Sequence, residues 1–185
     1  MNYSDGVNYD LFIADSSPKD LALIERTDNK VSQILDHIPL EVENAIKGVS
    51  SKVSLGVFTE TFCPDAAIAI PILLNLASLN PLIEVKFFHQ RQYEDYLYDT
   101  VDEFKIPTIL NLADDGKVVG KYIEFPAGLK KILATKTSLQ EVNLVIDDYR
   151  NGLFITEILT DMKELILGTQ GEYVWFSKCN FESTG

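Results

Sequence analysis

The sequence predicts an α/β fold in which a mixed central sheet is flanked by helices, with helical extensions at both ends. Two apolar runs of strand length, residues 53–59 and 83–89, lie on either side of a helical pattern at 66–79. A strand, a helix and a strand in this order indicate parallel pairing through a right-handed crossover. Two later runs, 108–112 and 118–124, are separated by a short turn signal and should therefore pair antiparallel.

The segment before the first strand predicts two helices. Residues 1–15 are mostly polar and predict either a tail or an edge strand. Ser17 precedes a proline and is a good N-cap, so a helix should begin there, with a break near residues 28–29 and an end before Pro39. The apolar spacing within 40–49 predicts a further amphipathic helix.

The remaining elements follow the second strand. Residues 93–104 predict a helix between that strand and the hairpin. Residues 138–168 carry two apolar stripes at helical spacing and predict a helical C-terminal region. Aromatic and β-branched residues within 172–178 predict a last short strand.

Charge and cysteine content exclude several classes of function. The 185-residue chain has a formal net charge of −12 and contains no run of Lys or Arg. Because binding to phosphate needs clustered cations, nucleic acid and anionic membranes are excluded as partners. Two cysteines are too few for a disulfide framework, and no signal peptide or membrane-spanning run is visible. We therefore expect a cytoplasmic protein of one domain with extensions.

The segment Phe62-Cys63-Pro64-Asp65-Ala66 is the strongest candidate for a functional site. It lies where the first predicted strand gives way to the first predicted crossover helix. A helix N-terminus stabilises negative charge, so a cysteine at this junction is well placed for thiolate chemistry.

Further residues connect this segment to a known family. An Ile-Pro-Thr sequence at 106–108 opens an apolar strand, Pro71 lies within the crossover helix, and a Tyr-Arg-x-Gly pattern occupies 149–152. With these features the chain resembles the thioredoxin family, and in particular a divergent group that has an aromatic-Cys-Pro-Asp motif and lacks the second cysteine. The resemblance implies a three-layer thioredoxin-like fold with a cis-proline that faces Cys63. It also places a core at 40–134.

The rest of the chain is expected to extend that core. Residues 1–39 should form a partly helical N-terminal extension, and residues 135–185 a helical extension that packs on the core.

Two groups of the thioredoxin mechanism have no counterpart in this sequence. Ala66 stands where the family has its resolving cysteine, and Val57 where it has a buried acid. Without a resolving thiol, Cys63 can attack a disulfide once and must then await an outside thiol such as glutathione. The helix N-terminus favours its thiolate, whereas Asp65 and the acidic surface oppose it, and the sequence leaves this balance open.

The site is compatible with two functions. One is a monothiol thiol-disulfide oxidoreductase, in which Cys63 is the catalytic residue and acts on a protein disulfide or a low-molecular-weight thiol. The other is a redox-inactive binding or adaptor module that docks a protein segment in the groove between Cys63 and Pro107. Neither function needs a cofactor. The expected substrate-binding residues are Phe62, Pro64, Asp65, Ala66, Ile106, Pro107 and Thr108.

Structural roles explain the other chemically notable residues. His37 and His89 have no partners at ligand spacing, so no metal site is expected. Cys179 is interpreted as a solitary reduced thiol, and for Cys63 a buried core cysteine without a reaction is the alternative.

Carboxylates are also interpreted as structural. The pair Asp65 and Glu60, and the acidic set at residues 94–103, should lie on solvated faces.

Overall fold

A four-stranded mixed sheet forms the centre of the computed structural model, which describes residues 1–101 and 104–169. Its strands are β1 (Val53–Thr59), β2 (Ile83–His89), β3 (Thr108–Leu112) and β4 (Val118–Ile123). The spatial order is β2-β1-β3-β4, with β1 parallel to β2 and antiparallel to β3, and β3 antiparallel to β4. The predicted fold class is confirmed.

Helices cover both faces of this sheet. In the described part of the chain they are α1 (Tyr9–Ile13), α2 (Pro18–Ile34), α3 (Leu40–Lys47), α4 (Pro64–Ser78), α5 (Glu94–Val101), α6 (Ala127–Leu133), α7 (Leu139–Arg150) and α8 (Ile155–Leu167). Short 3₁₀ helices lie at Tyr3–Asp5 and Gln90–Gln92. None of the helices within residues 1–101 and 104–169 combines the length and the apolar character needed to cross a membrane.

The core lies on both sides of the sheet, because β1 and β3 are buried on both faces. Helix α4 is apolar all round, with ten of its 15 residues buried, as expected of a helix enclosed by other elements. It contacts α2 and α8 as well as the sheet. On the opposite face, Phe58 and Leu110 of the sheet pack with Leu97 of α5. This layering places the loop after β1 and the first turn of α4 at one end of the sheet.

The N-terminal residues form neither a plain tail nor a long strand. Val7 makes an isolated antiparallel bridge to Phe87 of β2, with both backbone hydrogen bonds present at 3.0 and 2.8 Å. Gly6 fits tightly there, since a Cβ at this position would lie 2.5 Å from the Phe88 ring. The bridge leads directly into α1, which packs against β2.

Several predicted boundaries were wrong. Helix α2 runs without the break expected at residues 28–29, because its buried residues Thr27 and Val31 continue the packed face past that point. Helix α4 begins at Pro64 rather than at 66, since proline is favoured in the first turn of a helix. Helix α6 was not predicted. The strand expected at 172–178 lies outside the described residues.

Helices α7 and α8 form a helical hairpin after the sheet. Both lie within residues 138–168, where the sequence predicts helices. Ser138 and Glu141 form a capping box at the start of α7. The turn between the helices needs Gly152, whose φ is 93° and whose Cβ would lie 2.5 Å from Ile34. Asn111 of β3 donates to the Leu165 carbonyl at 2.8 Å, which fixes α8 against the sheet.

Candidate functional site

Cys63 is the N-cap of α4 and is almost completely buried, with 5% of its surface exposed. Its sulfur accepts the backbone N–H of Ala66 at 3.4 Å, and its thiol donates to the carbonyl of Ile106 at 3.6 Å. Helix α1 covers it, because Tyr9 and Phe12 line the same narrow gap as Cys63. The sulfur is therefore held among backbone groups and apolar side chains.

These surroundings keep the thiol protonated. Burial is the largest influence and raises the pKa of Cys63 to about 11, and the nearby charge of Asp65 also raises it. The Ala66 N–H and the Arg150 guanidinium act in the opposite direction and do not compensate. The balance that the sequence left open therefore favours the neutral thiol.

Residues 106–108 lie beside this thiol at the start of β3. The Ile106–Pro107 peptide bond is cis. The Pro107 carbonyl accepts the backbone N–H of Glu124 at 2.7 Å, and the Thr108 hydroxyl donates to the Lys105 carbonyl at 2.7 Å. Thr108 is fully buried, so its polar group is used inside the protein.

Asp65 is buried rather than solvated, which corrects the expectation from the sequence. Its two carboxylate oxygens accept from Nε and Nη2 of Arg150 at 2.7 and 3.0 Å, a bidentate pair. The neighbouring Tyr149 donates its hydroxyl to the Asp65 carbonyl at 3.1 Å. The end of α7 is thereby attached to the first turn of α4, two residues after Cys63.

Phe62 lies on the surface next to the buried cysteine, with 48% of its area exposed. The Arg91 guanidinium lies 5.4 Å from the centre of its ring, a cation–π contact. Glu60 accepts the Arg91 backbone N–H at 3.3 Å and contacts Nδ1 of His89 at 3.2 Å. Glu60 is thus engaged by two neighbours and is not a free surface carboxylate.

Two further exposed aromatic residues come from α5 and from the segment that follows it. Tyr98 and Phe104 are about half exposed and stack with ring centres 5.5 Å apart. The Gln90 side chain donates to the Phe104 carbonyl at 3.5 Å and so connects them to Arg91. We call Phe62, Arg91, Tyr98 and Phe104 the aromatic rim.

The remaining predicted positions are apolar or lie elsewhere. Val57 and Ala66 are buried in the core cluster that includes Cys63. Within residues 1–101 and 104–169 there is no group of three or more His, Cys, Asp and Glu side chains that could hold a metal ion. Cys179 and the acidic residues 102 and 103 lie outside the described residues.

A family model described as thioredoxin matches residues 12–140. The chain belongs to the thioredoxin family. The match includes the Cys63 motif, the cis-proline and the whole sheet, whereas most of α1 and all of α8 lie outside it.

Solved structures share the thioredoxin fold of this chain. A protein of unknown function from Pseudomonas aeruginosa has a TM-score of 0.73 and 20% sequence identity, over 90% of this chain and 95% of its own. An HIV epitope-scaffold has a TM-score of 0.72 at the same identity and coverage. No curated protein matches the chain. At this identity the likeness concerns the fold alone.

Two parts of the site were missed by reasoning from the sequence. Arg150 belongs to the Tyr-Arg-x-Gly pattern, but its partner Asp65 is 85 positions away. Nothing in the spacing of the sequence indicates that these two residues form an ion pair. The cover that α1 provides over Cys63 was also missed, because residues 1–15 gave no clear helical period.

Proposed function

We propose that this thioredoxin-family protein is a binding module that docks a protein segment at the Cys63–Pro107 groove and does not turn over disulfides. The burial of Cys63 supports the absence of turnover, and the exposed aromatic rim supports the docking of a protein segment. A nucleophile must reach its target, and only 5% of this residue is exposed. The raised pKa of Cys63 acts in the same direction, because the thiolate and not the thiol is the reactive form.

Two substitutions within the mechanism also support a binding role. Ala66 provides no resolving thiol, and Val57 provides no proton acceptor beneath the helix. Both side chains pack in the core, so each of these positions has a role in packing. A mixed disulfide formed at Cys63 would have no internal route of release.

The aromatic rim supplies the contact surface that such a module needs. Aromatic and arginine side chains dominate the energy of protein interfaces. Phe62 and Arg91 already form one contact unit beside the groove, and Tyr98 and Phe104 form a second. We infer that an extended segment would pass Ile106, the partly exposed residue before Pro107, with its side chains against these two units.

Binding through the rim can be tested by substitution on the surface. Phe62→Asp should lower the affinity for a protein partner captured from cell extract by about tenfold or more, as is usual for a central aromatic contact. Leu139→Asp is the matched control, because Leu139 is 75% exposed on α7. The proposal would be contradicted if the Phe62→Asp variant bound every captured protein as tightly as the Leu139→Asp variant does.

A monothiol oxidoreductase is the second candidate, and one observation favours it. The Ala66 N–H points at the sulfur from 3.4 Å, which is the geometry that stabilises a thiolate at a helix N-terminus. In this reaction the Cys63 thiolate attacks the glutathione sulfur of a mixed disulfide, which expels the partner thiolate and leaves a disulfide between Cys63 and glutathione. A second glutathione thiolate attacks the glutathione sulfur of that disulfide, which releases the Cys63 thiolate and glutathione disulfide. Turnover of such substrates that is abolished by Cys63→Ser and retained by Cys179→Ser would favour this candidate over the binding module.

A further inference from the structure

A second cleft lies away from the rim, between α1, α2 and α4. Its volume is about 290 Å³, at the lower end of the range for small-molecule sites. Apolar side chains from all three helices form most of its wall, and two carboxylates of α2 complete it. These lining residues include Ile13, Leu21, Ile24, Leu74, Glu25 and Asp28.

The charge at this cleft has one sign. Glu25 and Asp28 are three positions apart, so they lie on the same face of α2. Both side chains are exposed, and within residues 1–101 and 104–169 neither forms an ion pair. No lysine or arginine among the described residues lines the cleft. An anionic ligand would therefore be repelled, and a cationic one attracted.

The wall formed by α4 includes a proline. Pro71 lines the cleft and has no N–H, so the Ala67 carbonyl one turn earlier receives no helical hydrogen bond from position 71. Ala67 lines the adjoining gap, which shares Tyr9, Ile13 and Ile24 with the cleft. Among the polar side chains that line the cleft, the carboxylates of Glu25 and Asp28 accept hydrogen bonds and the Tyr9 hydroxyl can donate one. Acceptors therefore outnumber donors, and they suit a ligand that donates hydrogen bonds.

We propose that the cleft between α1, α2 and α4 binds a small apolar molecule that carries one positive charge, such as a primary alkylamine. The apolar part lies against Ile13, Leu21 and Leu74. The ammonium group lies toward Glu25 and Asp28. The cleft adjoins the narrow gap at Cys63, with which it shares Tyr9, Ile13 and Ile24, but binding of the amine needs no thiol chemistry.

The probe for this site is n-octylammonium, compared with octanoate and 1-octanol. Titration into ¹⁵N-labelled full-length protein should shift amide signals of α2 and of residues 72–74. Octylammonium should bind most tightly, 1-octanol more weakly, and octanoate not measurably. The variant Glu25→Gln/Asp28→Asn should weaken octylammonium by about fivefold to tenfold, as is reasonable for two exposed charges, and leave 1-octanol unchanged.

A matched control separates a site from general attraction to an acidic protein. Asp36→Asn/Glu41→Gln removes the same charge at exposed positions that do not line the cleft. Equal loss of octylammonium affinity in both double variants would overturn the proposal, as would octanoate binding as tight as that of the amine. A dimer in sedimentation that dissociates on Leu21→Glu would also overturn it, since a second copy of the chain would then cover the cleft.

Discussion

The protonation state of Cys63 gives the most direct test of the site. Its pKa is about 11, against an ordinary value of 9.0, because burial penalises the thiolate more than the Ala66 N–H and Arg150 stabilise it. A difference of two in pKa means about 100-fold less thiolate near neutral pH. Cover by α1 should slow the reaction further. We therefore expect alkylation of Cys63 near pH 7 to be at least about 100-fold slower than that of an exposed cysteine.

The assay is the rate of alkylation by iodoacetamide between pH 6 and 11, measured by mass spectrometry on protein carrying Cys179→Ser. The rate should still be climbing above pH 9. A plateau at or below neutral pH would refute the reasoning, since it would show a stabilised thiolate. Cys63→Ser in the same background provides the blank.

The raised pKa of Cys63 also makes the free energy of unfolding depend on pH. The thiol is held neutral more strongly in the folded than in the unfolded chain. The contribution of the neutral Cys63 thiol to the stability of the fold is therefore fully present below pH 9 and is lost as the pH rises toward 11. Urea unfolding of the Cys179→Ser protein should show this loss, and Cys63→Ser should reduce it.

Three further predictions concern packing and the motif. Arg150→Met leaves the buried Asp65 carboxylate without its partner, and because Arg150 is 39% exposed we expect about 2 kcal/mol of destabilisation rather than the larger loss of a fully buried pair, measured by urea unfolding. A cost below ~0.5 kcal/mol would show that water replaces the arginine. Asn80→Ala removes side-chain hydrogen bonds to the carbonyls of the last two residues of α3 and of Val49, and should cost about 2–3 kcal/mol in the same assay; an unchanged midpoint would contradict it. Ala66→Cys should form a disulfide with Cys63 on oxidation, detected by thiol titration, and persistence of both thiols would show that the first turn of α4 cannot bring the sulfurs together.

Much of the sheet could be predicted because its strands are nearly continuous apolar runs. Strands β1, β2 and β3 have the bounds expected from the sequence, since each run is flanked by polar or turn residues. Helix α6 was missed because its seven residues give less than two full periods of the helix. The break expected in α2 was wrong because Asp28 and Asn29 are exposed, where a helix tolerates them.

The candidate site was predictable only in part, for a physical reason. Cys63 and Pro107 belong to short motifs, which can be recognised from the residues next to them in the sequence. The ion pair of Asp65 with Arg150 depends on how α7 packs, and local spacing carries no information on a partner 85 positions away. The covering of Cys63 by α1 likewise arises from tertiary packing, so the sequence could offer a buried cysteine only as an alternative and could not decide the direction of its pKa shift.

The bridge between Val7 and Phe87 covers part of an edge strand of the sheet. Strand β2 is at one edge of the sheet, and an uncovered edge offers unpaired backbone groups to strands of other molecules. The bridge occupies the Phe87 N–H and carbonyl, and α1 packs against the same strand. A side chain at position 6 would force this segment away, because it would meet the Phe88 ring. We therefore expect residues 6–13 to hinder the pairing of β2 with strands of other molecules.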